Sequence, residues 1–98
     1  MNPYSLVLDD APTWRRFAVR LEVDGDGYPA GAAEVLTRQG AFRISPAQHG
    51  LVFQADVTAP NAIYAAHRLR DTLASWARVY DPDFTLGAVR SVAAAVRL

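Results

Sequence analysis

The chain has 98 residues, 51% of them apolar and 20% charged, a balance that packs one globular domain rather than a disordered segment. Ten basic residues cancel ten acidic ones, which argues against nucleic acid as a partner held by bulk charge. The absence of cysteine excludes a disulfide framework, a thiol nucleophile and a zinc–thiolate site. No apolar run reaches membrane-span length and no basic-then-apolar leader pattern is present, so the expectation is a cytoplasmic protein with no membrane partner.

All ten basic residues are arginine and 18 residues are alanine. Both have GC-rich codons, which suggests a bacterial genome of high GC content or one of its phages. Arginine also favours planar, two-pronged contacts over point-charge ones.

Residues 1–13 read as an N-terminal arm, and 14–98 as a single α+β domain. The arm carries Tyr4, Leu6, Val7 and Leu8 before a break at Pro12. Apolar side chains at a terminus need a surface to dock on, either their own domain or a neighbour.

The first strand is expected over residues 14–24. Phe17, Val19, Leu21 and Val23 alternate with Ala18, Arg20, Glu22 and Asp24, the period of a strand with one buried face. Asp24-Gly25-Asp26-Gly27 ends it with two glycines free to take positive φ. A first helix over about 29–39 follows, with Pro29 in its first turn and Gly40 as its stop. Its inner face would hold Tyr28, Ala32, Val35 and Leu36.

Residues 41–45 and 51–57 read as a hairpin. Phe42 and Ile44 lie on one face of its first strand and Arg43 on the other. In the second strand Leu51, Phe53, Ala55 and Val57 point inward, and Val52, Gln54 and Asp56 outward. A long amphipathic helix is expected over 59–80, with Thr58 as its N-cap and Pro60 in its first turn. Ala62, Ala66, Leu69, Leu73, Trp76, Ala77 and Tyr80 would share its buried face. Asp81-Pro82-Asp83 stops it. Residues 84–98 fit either state: Leu86, Val92, Val96 and Leu98 share a side of a strand, and the alanines favour a helix. A long helix needs a return strand, and the valines suit one, so strand is assigned.

The order βαββαβ is that of a ferredoxin-like sandwich, a four-stranded antiparallel sheet with two helices on one face. Right-handed crossovers give the spatial order 4-1-3-2. The other sheet face would be open, carrying Arg16, Ala18, Arg20, Glu22, Arg43, Val52, Gln54 and Asp56, with Arg90 from the last strand.

No recognised motif assigns chemistry. Counted from Asp24 as a calcium loop, position 5 is Tyr28 and position 12 is Val35, where oxygen ligands are needed. His67 and Asp71 form only an i,i+4 surface pair. No serine sits in a Gly-x-Ser-x-Gly elbow. RNA readers of this fold place aromatics on the open faces of strands one and three, whereas Phe17 and Phe53 point inward. No catalytic residue, metal ligand or cofactor is therefore assigned, although an acid–base pair assembled only in three dimensions is not excluded.

The expected role is a small non-enzymatic protein-interaction or assembly module, a homodimer or larger homo-oligomer. Its interface would draw on Tyr4, Leu6, Leu8, Trp14, Arg16, Arg20 and Gln54. The alternative is a small-molecule-binding or small catalytic domain. Its pocket would lie between sheet and helices and take Arg20, Tyr28, Arg43 and Tyr64 as polar contributors.

Overall fold

The computed structural model describes residues 14–25, 27–39 and 42–98. Strands β1 (Arg15–Asp24), β2 (Arg43–Pro46), β3 (Gly50–Ala59) and β4 (Val89–Val96) form one antiparallel sheet in the order β2-β3-β1-β4. Helices α1 (Ala30–Thr37) and α2 (Ala62–Tyr80) complete an α+β fold. The arm, with Tyr4, Leu6 and Leu8, lies outside the described residues.

The register follows the alternation in the sequence. Phe17, Val19, Leu21 and Val23 of β1 face Val57, Ala55, Phe53 and Leu51 of β3. These side chains form the core with Leu36 of α1 and with Ala65, Leu69 and Leu73 of α2. Both helices therefore pack on the same side of the sheet.

The last segment is a strand, and its valines explain why. Val96, Ala94 and Val92 pair with Phe17, Val19 and Leu21 on the helix-covered face. The register then shifts between Glu22 and Val23, so that Val89 pairs with Val23. A bulge of this kind brings consecutive side chains to one side of the strand. Here Arg90 reaches Asp24 and the Ser91 hydroxyl bonds Glu22, one residue apart. Leu86 precedes the strand and packs against the core. Leu98 follows it and is fully exposed, so it does not share the inward side expected of it.

Two expectations for the long helix are corrected. Thr58 is not its cap: β3 runs on to Ala59, whose side chain is fully buried. The helix starts at Ala62, and Asn61 caps it by accepting a hydrogen bond from the Tyr64 amide at 2.8 Å. The buried stripe is Ala65, Leu69, Leu73 and Ala77, rotated from the expected one by the inclusion of Ala65. Tyr80 is half exposed. Its ring lies against Gly31 of α1, where a side chain would collide with it.

At the other end of the sheet three backbone segments meet. The Asp24 amide donates to the Ala88 carbonyl, and the Gly25 amide donates to the His49 carbonyl. Gly50 and Gly87 permit this approach: a Cβ on either would sit about 2 Å from the Val23 or Asp24 carbonyl oxygen.

Candidate functional site

The sheet face away from the helices carries most of the polar chemistry. Its side chains follow from the register as cross-strand rows. One row is Arg43, Gln54, Arg20 and Ala93, running across β2, β3, β1 and β4. The next is Asp56, Ala18 and Ala95. The row on the other side is Ser45, Val52, Glu22 and Ser91. Alanine at 18, 93 and 95 keeps the β1–β4 half of the face low, while long side chains rise around it. The result is a hollow of about 350 Å³ lined by Arg20, Arg43, Gln54, Asp56, Arg97 and these alanines.

The charges of the hollow are unevenly committed. Arg97 Nε donates to Asp56 Oδ1 at 3.1 Å. The Glu22 carboxylate accepts from the Ser91 hydroxyl at 3.3 Å. At the end of the same face Asp24 accepts a hydrogen bond from Arg90, and that bond raises the Arg90 pKa further above its ordinary range. Arg20 and Arg43 have no ion-pair partner among the described residues. A chain of zero net charge thus gathers five arginines (16, 20, 43, 90 and 97) on one sheet face against three carboxylates, Glu22, Asp24 and Asp56.

A second feature lies at the sheet edge. Ile63 is 74% exposed and Val92 51% exposed. Together with Ala62, Ala66, Val89 and Ala94 they line an apolar cleft of about 430 Å³ between α2 and β4, with His67 and Arg70 also in its wall. Beside it runs the outer edge of β4, which has no partner strand among the described residues.

The residues singled out from the sequence separate into three places. Arg16, Arg20 and Gln54 share the open face, and Arg43 joins them. Trp14 stands at the start of β1, edge-on to Tyr64 with ring centroids 6.1 Å apart, and Arg68 lies over its ring at 5.3 Å. Tyr28 is on the opposite face of the sheet. Its hydroxyl donates to the Leu73 carbonyl at 2.8 Å, and its ring packs edge-on against Phe53 and Phe84. Burial pushes the Tyr28 phenol up to about 12. Arg20, Tyr28, Arg43 and Tyr64 therefore do not converge on one pocket between sheet and helices, because the sheet itself separates the arginines from Tyr28.

Sequence reasoning missed Ala93, Ala95 and Arg97 as members of the open face. The signal was there: once 89–96 is a strand, period 2 places 93, 95 and 97 opposite Val92, Ala94 and Val96. The β4-edge cleft was missed for another reason: the order 4-1-3-2 already makes β4 outermost, but the gap beside it depends on how α2 is rotated on the sheet, which the helical pattern left imprecise. The described residues contain no cluster of three or more His, Cys, Asp or Glu side chains able to hold a metal ion. No described helix is long and apolar enough to cross a membrane.

No family model matches the chain, and neither a curated protein nor a solved structure matches it significantly.

Proposed function

We propose that the chain is a ferredoxin-like βαββαβ sandwich serving as a small non-enzymatic assembly module, which pairs with a second copy of itself along the outer edge of β4. The fold reading rests on the strand order, which is 4-1-3-2 when read from β4, and on both helices sharing a face. The functional reading rests on one observation: the edge of β4, which has no partner strand among the described residues, runs beside the exposed apolar pair Val92 and Ile63.

An unpaired strand edge offers a row of backbone donors and acceptors to another strand. The two outer strands differ in this respect. β2 is four residues long and ends in Pro46, both devices that discourage addition of a strand. β4 is eight residues long, contains no proline, and is built mainly from alanine and valine. Antiparallel pairing of β4 with its own copy is isologous, so each copy gives and receives the same contacts. It would also bring the two apolar clefts to either side of one seam.

The backbone phase of β4 supplies the test. The Arg97 amide donates to the Arg16 carbonyl, so by alternation the Ala94 amide points away from β1. Ala94→Pro removes an outward donor and spares the ladder to β1. Val92→Arg places a charge in the seam. Light scattering during size-exclusion chromatography should give a dimer for the full chain and a monomer for each variant, with far-UV circular dichroism unchanged. A monomeric wild-type chain overturns the proposal. So does a dimer that survives both substitutions, or one lost only when residues 1–12 are removed.

A further inference from the structure

We propose that the hollow on the open sheet face binds the phosphate group of a small phosphate monoester, gripped between Arg20 and Arg43. This goes beyond the assembly reading and does not depend on it.

The geometry is a cross-strand row. Arg20 and Arg43 both pair with Gln54, one from each neighbouring strand. Adjacent strands lie about 4.8 Å apart, so the two arginine Cα atoms are about 10 Å apart across Gln54. Side chains of arginine length can close on one group above Gln54 from that separation. Each guanidinium presents a planar fork matched to two oxygens of an oxyanion. The Gln54 amide adds a further donor between them.

Three features favour phosphate. Two guanidinium groups with no ion-pair partner among the described residues bring two positive charges, which match the dianion of a phosphate monoester. Of the nearest carboxylates, Asp56 is neutralised by Arg97, while Glu22 keeps its charge one row away, turned toward the Ser91 hydroxyl that it accepts from, so the positive charge of the row exceeds the negative charge beside it. Beside the row, Ala18, Ala93 and Ala95 form a low apolar floor, on which the organic part of the ester can lie. A polynucleotide is disfavoured, because the lining of the hollow contains no aromatic side chain on which bases could stack.

The test is a titration of the isotopically labelled full chain with phenyl phosphate, followed by ¹H–¹⁵N NMR. It is run above about pH 7, where the ester is dianionic, at fixed ionic strength. Parallel titrations use inorganic phosphate and acetate. Saturable shifts are expected at the Gln54 side-chain amide and at the backbone amides of Ala18, Ala93 and Ala95. Phenyl phosphate should bind more tightly than inorganic phosphate, and acetate should leave these signals in place. Arg20→Gln and Arg43→Gln should each weaken binding about tenfold, the scale of one charge-assisted hydrogen-bonding group. Arg90→Gln, at an arginine already held by Asp24, should not weaken it. Repeating the titration on Ala94→Pro reads phosphate binding separately from self-association. Equal responses to acetate and phosphate, shifts spread over all the arginines, or unaltered binding by both Arg20→Gln and Arg43→Gln would each overturn the assignment.

Discussion

Arg97 at the end of the last strand and Asp56 on β3 are bonded at 3.1 Å although β1 lies between them. The residue that β1 presents in the row of Asp56 is Ala18. A methyl group there leaves the path of the guanidinium clear. Ala18→Leu should obstruct it. The ion pair is largely exposed on the arginine side, so its loss should cost under about 1 kcal/mol. Urea titrations of the four proteins in an Arg97→Gln/Asp56→Asn cycle should give a coupling of that size on the wild-type background. The same cycle built on Ala18→Leu should give none.

Tyr28 ties the loop after β1 to the middle of α2 through the Leu73 carbonyl. Tyr28→Phe keeps the edge-on packing with Phe53 and Phe84 and loses the hydrogen bond. A loss of about 1 kcal/mol is expected in denaturant unfolding. The pH dependence has a definite sign. The folded-state pKa is raised to about 12 from 10.0, so the unfolded chain gives up this proton first. The Tyr28 contribution is therefore fully present below pH 10 and declines as pH rises toward 12. The stability difference between wild type and Tyr28→Phe should narrow across that interval and stay flat between pH 7 and 9.

The strands were largely legible because a sheet with one covered face imprints a period of two. Phe17 to Val23 and Leu51 to Val57 carry that period without interruption. Residues 89–96 carry it only through valines set among alanines, which suit a helix equally well, so the segment needed the argument from connectivity. The cap of α2 is ambiguous in the sequence because Thr58 and Asn61 are both competent capping residues. The choice between them rests on how far β3 continues, and that is fixed by the partner strand β1 through Arg15 and Ala59. The open-face site was half legible. Arg20, Arg43 and Gln54 could be placed on one face from alternation alone. Their alignment in a single row depends on strand register, which local sequence does not encode.

Gly31 sits inside α1 where alanine would normally be preferred by about 1 kcal/mol. A Cβ at this position would lie 2.6 Å from two ring carbons of Tyr80. Those atoms belong to a half-exposed side chain that can swing away, at the cost of its packing. Gly31→Ala alone should therefore yield less than half of the propensity gain. In a Tyr80→Ala background it should yield the full amount. Thermal unfolding of the four proteins checks this, and equal effects of Gly31→Ala in both backgrounds would show that the ring does not restrain position 31.

Gly50 presents the opposite case, because its neighbour is rigid. A Cβ there would meet the Val23 carbonyl oxygen at 2.0 Å and the Gly25 nitrogen at 2.9 Å. Backbone atoms at the junction of β1 and β3 cannot swing aside. Gly50→Ala should cost about 1–3 kcal/mol, the range for overpacking. Gly27 has open space where its Cβ would stand, so Gly27→Ala should change stability by less than about 0.5 kcal/mol. Denaturant midpoints of the two variants should separate accordingly.

The rotation of α2 on the sheet can be read from stability alone. Leu73 is fully buried, whereas Val79 on the same helix is 69% exposed. Leu73→Ala removes a side chain from the centre of the core and leaves a cavity that the rigid sheet cannot collapse into, for a cost of about 2–5 kcal/mol. Val79→Ala deletes methyl groups already in water and exchanges a β-branched residue for the best helix former, so the change should stay within about 0.5 kcal/mol. Ala65 gives a third reading of the same angle. It is fully buried, although the amphipathic pattern centres the inner stripe nearer Ala62 and Ala66. Ala65→Leu should overpack the α2–sheet interface by about 1–3 kcal/mol, and Ala66→Leu, at a partly buried position, by less. If Ala66→Leu proved the more costly of the two in urea unfolding, the helix would be turned toward β4 and the cleft beside Val92 would be closed.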